Sequence, residues 1–274
     1  MNGKRVFVSV IRAVIAVAVA ALFAFPLVFL VINSFRDKMD IVDNPLSFGG
    51  KLSLENFFNA VDRMQYLNSF VNSLVVTVSS ALVIMFFASM LAFFIARFET
   101  KLNKGIFYTL VISMIVPFQA VMIPFVYIYG QLHLLNSIPA LVFFYLGFGL
   151  SLTTFMYHGF IKRLSVSLEE AASLEGASLF TIFWKVVFPQ LVPITSTTFV
   201  LNVLWFWNDY LLPSLVLIQK SRTLPLATYT FFGTFTSDYG IAMAGLMLSI
   251  IPIIIFYVFM QKNIVGGITD GAVK

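Results

Sequence analysis

Six stretches of the chain are almost wholly apolar over more than twenty residues, and all the charged residues except Asp209 fall outside them. A helix needs about 20 mostly apolar residues to cross the hydrocarbon core of a bilayer. The predicted membrane spans are residues 13–35, 70–96, 105–131, 134–157, 194–218 and 241–261. These spans leave only loops and termini, so we expect a single transmembrane domain over residues 1–274.

The apolar runs do not alternate with polar residues, as residues 250–256 illustrate. The strands of a membrane β-barrel alternate over about ten positions, so the pattern excludes a barrel. We therefore predict an all-α, polytopic membrane protein with six transmembrane helices. The first stretch is too long for the apolar core of a cleaved signal peptide, and we expect it to remain as an anchor.

The amino-acid composition further restricts the class of protein. Hydrophobic residues make up 60% of the chain, charged residues 11%, and there is no cysteine. This balance excludes an ordinary soluble enzyme, a disordered chain and a disulfide-stapled secreted domain. His133 and His158 have no further ligand residue at a suitable spacing, so no metal site is predicted. We also find no paired nucleophile and base, so we do not expect an enzyme.

The basic residues indicate the orientation of the spans. Eleven of the 17 lysines and arginines fall on one side of the predicted spans and six on the other. Because the more basic side of a membrane protein faces the cytoplasm, both termini are expected there. The basic residues form no stripe with interleaved aromatic residues, so no nucleic-acid partner is expected.

The long cytoplasmic loop after the fourth span carries helix signals of its own. Ser167 and Glu170 have the spacing of a capping box, which predicts that a helix starts there. Gly176 suits the left-handed conformation that often ends a helix. A second amphipathic helix is expected over residues 178–187, with Pro189 ending it.

Two roles are open for this helix-turn-helix, which lies within residues 161–193. In one, it rests in the lipid headgroups. In the other, it docks on a protein partner. Glu169, Glu170 and Glu175 make the first helix acidic. An acidic face is unfavourable against anionic lipid but suits an arginine-bearing protein, which favours docking.

The same loop resembles the EAA motif of ABC importer permeases. Glu170-Ala171-Ala172 is followed after three residues by Gly176, and after nine more by Val186. Phe188-Pro189 completes the pattern, where the family usually has Ile, any residue, and Leu-Pro. The substitutions at Val186 and Phe188 keep size and polarity.

Further stretches are similar to the sugar-importer branch of that family, and within it to the G-type permease of maltose systems. These stretches are Pro26-Leu27, Asn33-Ser34-Phe35, Asn72-Ser73-Leu74, Val116-Pro117, Ile123-Pro124, Trp207-Asn208-Asp209-Tyr210 and the tail at residues 267–274. The likeness covers almost the whole chain.

The resemblance implies the type I ABC importer permease fold, with a cytoplasmic helix-turn-helix coupling element. It also implies a complex in the bacterial inner membrane with a second, F-type permease, an ATPase dimer, and an extracellular or periplasmic binding protein that delivers a carbohydrate. The implied ATPase-coupling residues are Glu169, Glu170, Ala171, Ala172, Leu174, Glu175, Gly176, Ala177 and Pro189. A second ATPase contact is implied at Gly271, Ala272 and Val273, and the pathway or the contact between permeases at Trp205, Trp207, Asn208 and Asp209.

The chain has no phosphate-binding loop. Residues 49–53 lack the first glycine of that motif, and Leu52 follows the lysine where the motif needs Ser or Thr. We therefore expect no cofactor in this chain, with ATP and Mg²⁺ bound by the partner ATPase. From the residues alone, an ion gradient is an equally acceptable source of energy.

Asp209 is the only carboxylate within a predicted span. An acid buried in the membrane is costly, so it suggests a function, and one reading makes it the coupling acid of an ion-driven secondary carrier. The other reading has Asp209 cap a helix break before Pro213 or pair with a neighbouring helix. We favour the second because ion-coupled carriers spread several polar groups through the midplane. The tryptophans nearby suit either stacking on sugar rings or packing in lipid.

Overall fold

The computed structural model describes residues 2–47, 49, 52–231 and 238–272, with only the backbone for residues 2–6 and 263–272. In this part of the chain every regular element is helical. The α-helices are α1 (Asn2–Ser34), α2 (Lys38–Asp43), α3 (Glu55–Arg63), α4 (Tyr66–Arg97), α5 (Lys101–Ser113), α6 (Phe118–Gln131), α7 (Ile138–Ile161), α8 (Ser167–Leu174), α9 (Leu179–Ile182), α10 (Val192–Asn208), α11 (Leu211–Val216), α12 (Leu224–Thr228) and α13 (Tyr239–Ala272).

Within the described residues, five helical segments are long and apolar enough to cross a membrane, and the number is six if one bent pair of helices counts as a single span. The five are Phe7–Ser34, Tyr66–Arg97, Ile138–Ile161, Leu179–Asn208 and Tyr239–Lys262. The prediction of an all-α, multi-pass membrane protein is confirmed.

The third predicted span, residues 105–131, is not one straight helix. It consists of α5 and α6, whose axes differ by 103°. Pro117 lies at the break, with φ −69° and ψ 134°. Because proline lacks an N–H and pushes the residue before it out of the helical region, the chain turns here and starts a new helix.

The fifth predicted span, residues 194–218, is wrong at both ends. It ends early because Asp209 has extended backbone angles, φ −74° and ψ 127°, and α11 is a separate short helix. Upstream, a π-helical turn (Phe183–Val187) and a 3-10 turn (Phe188–Leu191) join α9 to α10. Pro189 therefore does not end the helical path. It lies in the first turn of the 3-10 segment, where its missing N–H costs little.

The chain divides into two compact units, which are described in turn, so the single-domain organisation stays a prediction. The first comprises Met1–Leu67 and Ala227–Pro252, and the second Asn68–Leu226 and Ile253–Lys274.

In the first unit, a buried arginine holds the loop that follows α1. Arg36 is 2% exposed and donates to the side-chain oxygen of Asn33 at 2.9 Å. It also donates to the carbonyl oxygens of Asn44 at 3.0 Å and Asp40 at 2.8 Å. Asn33 in turn donates to the carbonyl oxygen of Pro45 at 3.1 Å. The loop is thus fixed by hydrogen bonds from buried side chains to its own backbone.

We expect Gly240→Ala to destabilise this unit. A Cβ at Gly240 would lie 2.6 Å from the amide nitrogen of Asn56 and 2.9 Å from the carbonyl oxygen of Arg36. It would therefore displace Asn56, which donates to the carbonyl oxygens of Ser34 and Arg36 at 3.1 and 2.9 Å. Overpacking of this kind costs about 2 kcal/mol. Thermal unfolding of the purified protein in detergent should show a melting temperature several degrees lower. In the control, Gly105→Ala, the Cβ meets nothing within 4 Å and the melting temperature should be unchanged.

In the second unit, α4, α7 and α10 pack around fully buried side chains, among them Tyr145, Tyr157 and Ile84. Polar pairs link α7 to α10. The Tyr157 hydroxyl donates to the Thr195 hydroxyl at 2.9 Å, and Asn202 donates to the Thr153 hydroxyl at 3.1 Å. Such hydrogen bonds between helices are common in membrane bundles, where polar groups have no water to bond.

Candidate functional site

The predicted turn of the loop that follows α7 is formed at Gly176, which has φ +84°. The Gly176 amide donates to the carbonyl oxygen of Ser173 at 3.0 Å, and the Ala177 amide donates to that of Ala172 at 3.0 Å. These two bonds are the Schellman arrangement, which closes a helix with a residue in the left-handed region. The predicted helix end at Gly176 is confirmed, and it reverses the chain between α8 and α9.

The predicted capping box at the other end of α8 is wrong. The residue before the helix, Val166, makes no side-chain cap, and Ser167 is the first helical residue. The Ser167 hydroxyl lies 2.8 Å from that of Ser165 instead. Glu169 and Glu170 are in the first turn, where their charge is favourable to the helix dipole. Glu170 is exposed and does not bond back to the helix start.

α8 presents an exposed face of mixed character. The helix buries none of its residues, and Leu174 is 91% exposed. We call five of the exposed side chains of α8 and its turn the α8 face; they are Leu168, Glu170, Ala171, Leu174 and Glu175. Apolar leucines flanked by carboxylates form a surface that suits a protein partner with an apolar pocket and basic residues.

Glu169 does not belong to the α8 face. Its carboxylate accepts from Arg97 Nε at 3.0 and 2.9 Å and from Arg97 Nη2 at 2.7 Å. The two side chains are only 12% and 13% exposed. No motif or spacing indicates this pair, because its members are 72 residues apart. Of the other predicted coupling residues, Ala172 and Ala177 are half-buried and Pro189 is exposed.

The predicted contact at the C-terminus is only partly described. The backbone of Gly271 and Ala272 belongs to α13, but their side chains lie outside the described residues, as does the whole of Val273.

Asp209 lies at the break between α10 and α11. One carboxylate oxygen accepts from the Tyr145 hydroxyl at 2.8 Å, and the other accepts from the Leu211 amide at 2.9 Å. Asp209 therefore caps the helix break before Pro213 and also pairs with a neighbouring helix, α7. Both features match the structural reading of this acid.

A cavity of about 410 Å³ opens beside Asp209, at the bend between α5 and α6. Its polar and aromatic lining includes Ser113, Phe118, Gln119, Phe148, Trp205 and Asp209. Trp205 is 43% exposed, whereas Trp207 is buried and packs edge-on against Phe70 with ring centres 6.0 Å apart. Of the four predicted pathway residues, Trp205 and Asp209 thus share a cavity, while Trp207 and Asn208 do not line it.

Three comparisons with known proteins, by family, by sequence and by fold, agree with one another. Residues 84–269 match the family described as "Binding-protein-dependent transport system inner membrane component". The chain is 41% identical to the probable starch degradation products transport system permease protein AmyC of Thermoanaerobacterium thermosulfurigenes, over 95% of both chains. It is 40% identical to the multiple sugar-binding transport system permease protein MsmG of Streptococcus mutans, over 92% of both. It is 33% identical to the melibiose/raffinose/stachyose import permease protein MelC of Bacillus subtilis, over the full length of both.

The fold is similar to that of a chain in the crystal structure of a bacterial ABC transporter that imports the acidic polysaccharide alginate. The two chains superpose with a TM-score of 0.82 at 20% identity, over 96% of this chain and 98% of the other. The family match covers more than half of the chain, and it includes α8, Gly176 and the break at Asp209. The chain therefore belongs to the family of inner-membrane components of binding-protein-dependent transport systems.

Proposed function

We propose that this permease is one of two membrane subunits of an ATP-driven importer for a sugar or oligosaccharide, and that it forms half of the translocation pathway. The observation that carries the proposal is the exposed, acidic and apolar α8 face, closed by the turn at Gly176. The carbohydrate substrate is supported by the relatives, whose names specify starch degradation products, multiple sugars and melibiose, raffinose and stachyose.

The α8 face is the proposed seat of a separate ATPase. Leu174 is the apolar anchor because it is the most exposed large side chain on the helix, and Glu170 pairs with a basic residue of the ATPase. ATP and Mg²⁺ bind to that ATPase, whose closure pulls on α8. The helices joined to it, α7 and α9–α10, then tilt and open the pathway to the other side of the membrane. This chain makes no covalent step.

The remaining partners follow from the same scheme. A second, F-type permease completes the pathway, an ATPase dimer drives it, and an external binding protein delivers the sugar. Residues 271–273 supply a further ATPase contact. This arrangement requires α8 on the cytoplasmic side of the bacterial inner membrane, and so places both termini there, in agreement with the basic residues of the loops.

The cavity beside Asp209 is the proposed point where the sugar passes this subunit. Its volume lies within the range of about 300–1,000 Å³ that is typical of small-molecule sites. Trp205 offers an exposed aromatic face to a sugar ring, and Gln119 and Asp209 supply polar atoms for hydroxyl groups.

ATP-dependent uptake tests the proposal. Proteoliposomes that contain the chain with the second permease and ATPase, plus the binding protein outside, should take up radiolabelled maltotriose or raffinose only when ATP is supplied inside. We expect Glu170→Lys to reduce this uptake at least tenfold, because it reverses the charge of the docking face. Asp209→Asn should lower ATP-driven uptake without abolishing it, because the amide still offers polar atoms to the sugar and keeps one of the two acceptor oxygens at the helix break. Uptake that needs an ion gradient, survives without ATP and fails in Asp209→Asn would contradict the proposal in favour of an ion-coupled carrier.

A further inference from the structure

α8 is held on its own unit by few interactions. None of its residues is fully buried, and its N-cap residue, Val166, supplies no side-chain cap. Within the described part of the chain, the hydrogen bonds between an α8 side chain and a membrane helix are those that Glu169 accepts from Arg97. The ion pair with Arg97 therefore ties α8 to α4, from which it is distant in sequence.

The geometry of this pair is that of a strong, shielded contact. Arg97 Nε and Nη2 together grip the carboxylate of Glu169 at 2.7–3.0 Å, and Nη2 also donates to the carbonyl oxygen of Leu164 at 3.4 Å. A guanidinium presents its donors in a rigid fork, so it fixes the direction of the carboxylate as well as its distance. Because both side chains are about one-eighth exposed, water and salt screen the pair less than a surface pair.

An exposed ion pair between Glu99 and Lys104 serves as a comparison for the shielded Arg97–Glu169 pair. Glu99 lies 3.3 Å from Lys104, and their side chains are 59% and 60% exposed. A hydrogen bond from Lys104, followed by its charge, holds the pKa of Glu99 below its ordinary value. Exposed pairs of this kind contribute little to stability or orientation.

Arg97 is the last residue of α4, and the end of that helix is anchored in the second unit. Ile95 and Ala96 are buried, and the ring of Phe93 packs on that of Phe183 in the π-helical turn, with ring centres 5.3 Å apart. A pull on α8 therefore reaches α7 and α9–α10 through the chain itself, and its direct polar contact with the end of α4 is the one made by Arg97.

We propose that the Arg97–Glu169 ion pair is a mechanical link that carries the movement of α8 to α4, which makes Arg97 a positioning residue for transport. The proposal rests on the proposed function, in which the ATPase seats on the α8 face. It separates two neighbouring carboxylates by role: Glu170 faces the ATPase, whereas Glu169 faces the membrane helices of its own chain.

Uptake per ATP hydrolysed is the property that this link controls. We expect Arg97→Gln and Glu169→Gln to leave the ATPase bound to the reconstituted transporter, but to lower maltotriose or raffinose uptake per ATP at least tenfold. The double variant Arg97→Glu with Glu169→Arg should restore at least half of the ratio, because it reverses the pair without removing it. Arg97→Lys should give an intermediate ratio, since lysine keeps the charge and loses the fork. The matched control, Glu99→Gln, should leave the ratio unchanged.

Three results would overturn the link. Normal uptake per ATP in Arg97→Gln and Glu169→Gln would show that α4 receives the movement by another route. Low ratios that the reversed pair does not restore would show that each side chain matters separately. Loss of the chain from the membrane in both single variants, without recovery in the reversed pair, would reduce the pair to a folding role. The proposed function is judged separately: if Glu170→Lys keeps the ATPase bound and uptake normal, the docking site itself is wrong, whatever Arg97 does.

Discussion

Replacing Gly176 with valine is expected to abolish uptake while leaving the chain in the membrane at its normal level. Gly176 has φ +84°, and a Cβ there would meet nothing within 4 Å. Any loss of function must therefore come from the backbone conformation or from a partner, because the chain itself offers no clash. An L-residue in the left-handed region costs roughly 1–2 kcal/mol, and a β-branched one costs more. The Schellman hydrogen bonds at the end of α8 would break, and the α8 face would no longer be held in a fixed orientation.

Two matched variants separate this effect from a general intolerance of substitution. Gly176→Asn should keep most of the uptake, because asparagine tolerates the left-handed region. Gly159→Ala, in α7, adds a Cβ that meets nothing within 4 Å and should be silent. Uptake by Gly176→Val equal to that of the wild type would show that the turn geometry is not needed for coupling.

Leu174→Glu is expected to release the ATPase from the complex. Leu174 is 91% exposed, so the substitution removes no contact within the described chain and should not affect folding. Loss of a central apolar anchor commonly costs about 2 kcal/mol of binding energy, which corresponds to a roughly 30-fold weaker complex. Binding of the purified ATPase to the permease pair in detergent, measured by titration, would show this change.

The control for that titration is Leu102→Glu. Leu102 is 72% exposed in the first turn of α5 and is not one of the α8 face residues, and a carboxylate in a first turn is favourable to the helix dipole. Its ATPase affinity should equal that of the wild type. Equal affinity in Leu174→Glu would remove α8 from the docking site.

Patterns local in the sequence predicted much of this fold. Long apolar runs need only length and composition to be identified as membrane helices, and the end of α8 follows from one glycine after a short helical stretch. The prolines were less reliable as predictors of helix breaks. Pro117 lies at a 103° break, Pro189 lies in a continuous helical path, and Pro252 lies inside α13. The difference depends on the neighbours that accept or replace the missing hydrogen bond, which no local pattern contains.

Local sequence patterns likewise predicted some features of the candidate site and missed others. The turn between α8 and α9 was predicted because its residues are consecutive. The Arg97–Glu169 pair was missed because it depends on how α4 and α8 pack. Asp209 was located correctly at a helix break, but its bond to Tyr145 could not be predicted, since the two residues are 64 positions apart on different helices. The cavity beside it lies where α5 and α6 bend by 103°; a proline such as Pro117 predicts a kink, but it does not specify an angle of that size.

We propose that this permease works with a second permease and a separate ATPase that binds to the α8 face. The most direct test is purification of the tagged chain in mild detergent after expression with its chromosomal neighbours, for the wild type and for Leu174→Glu. We expect the wild type to retain a second permease and an ATPase. Leu174→Glu should retain the second permease and lose the ATPase. Recovery of the wild-type chain alone or as a homodimer, or an ATPase held equally well by Leu174→Glu, would contradict the proposal.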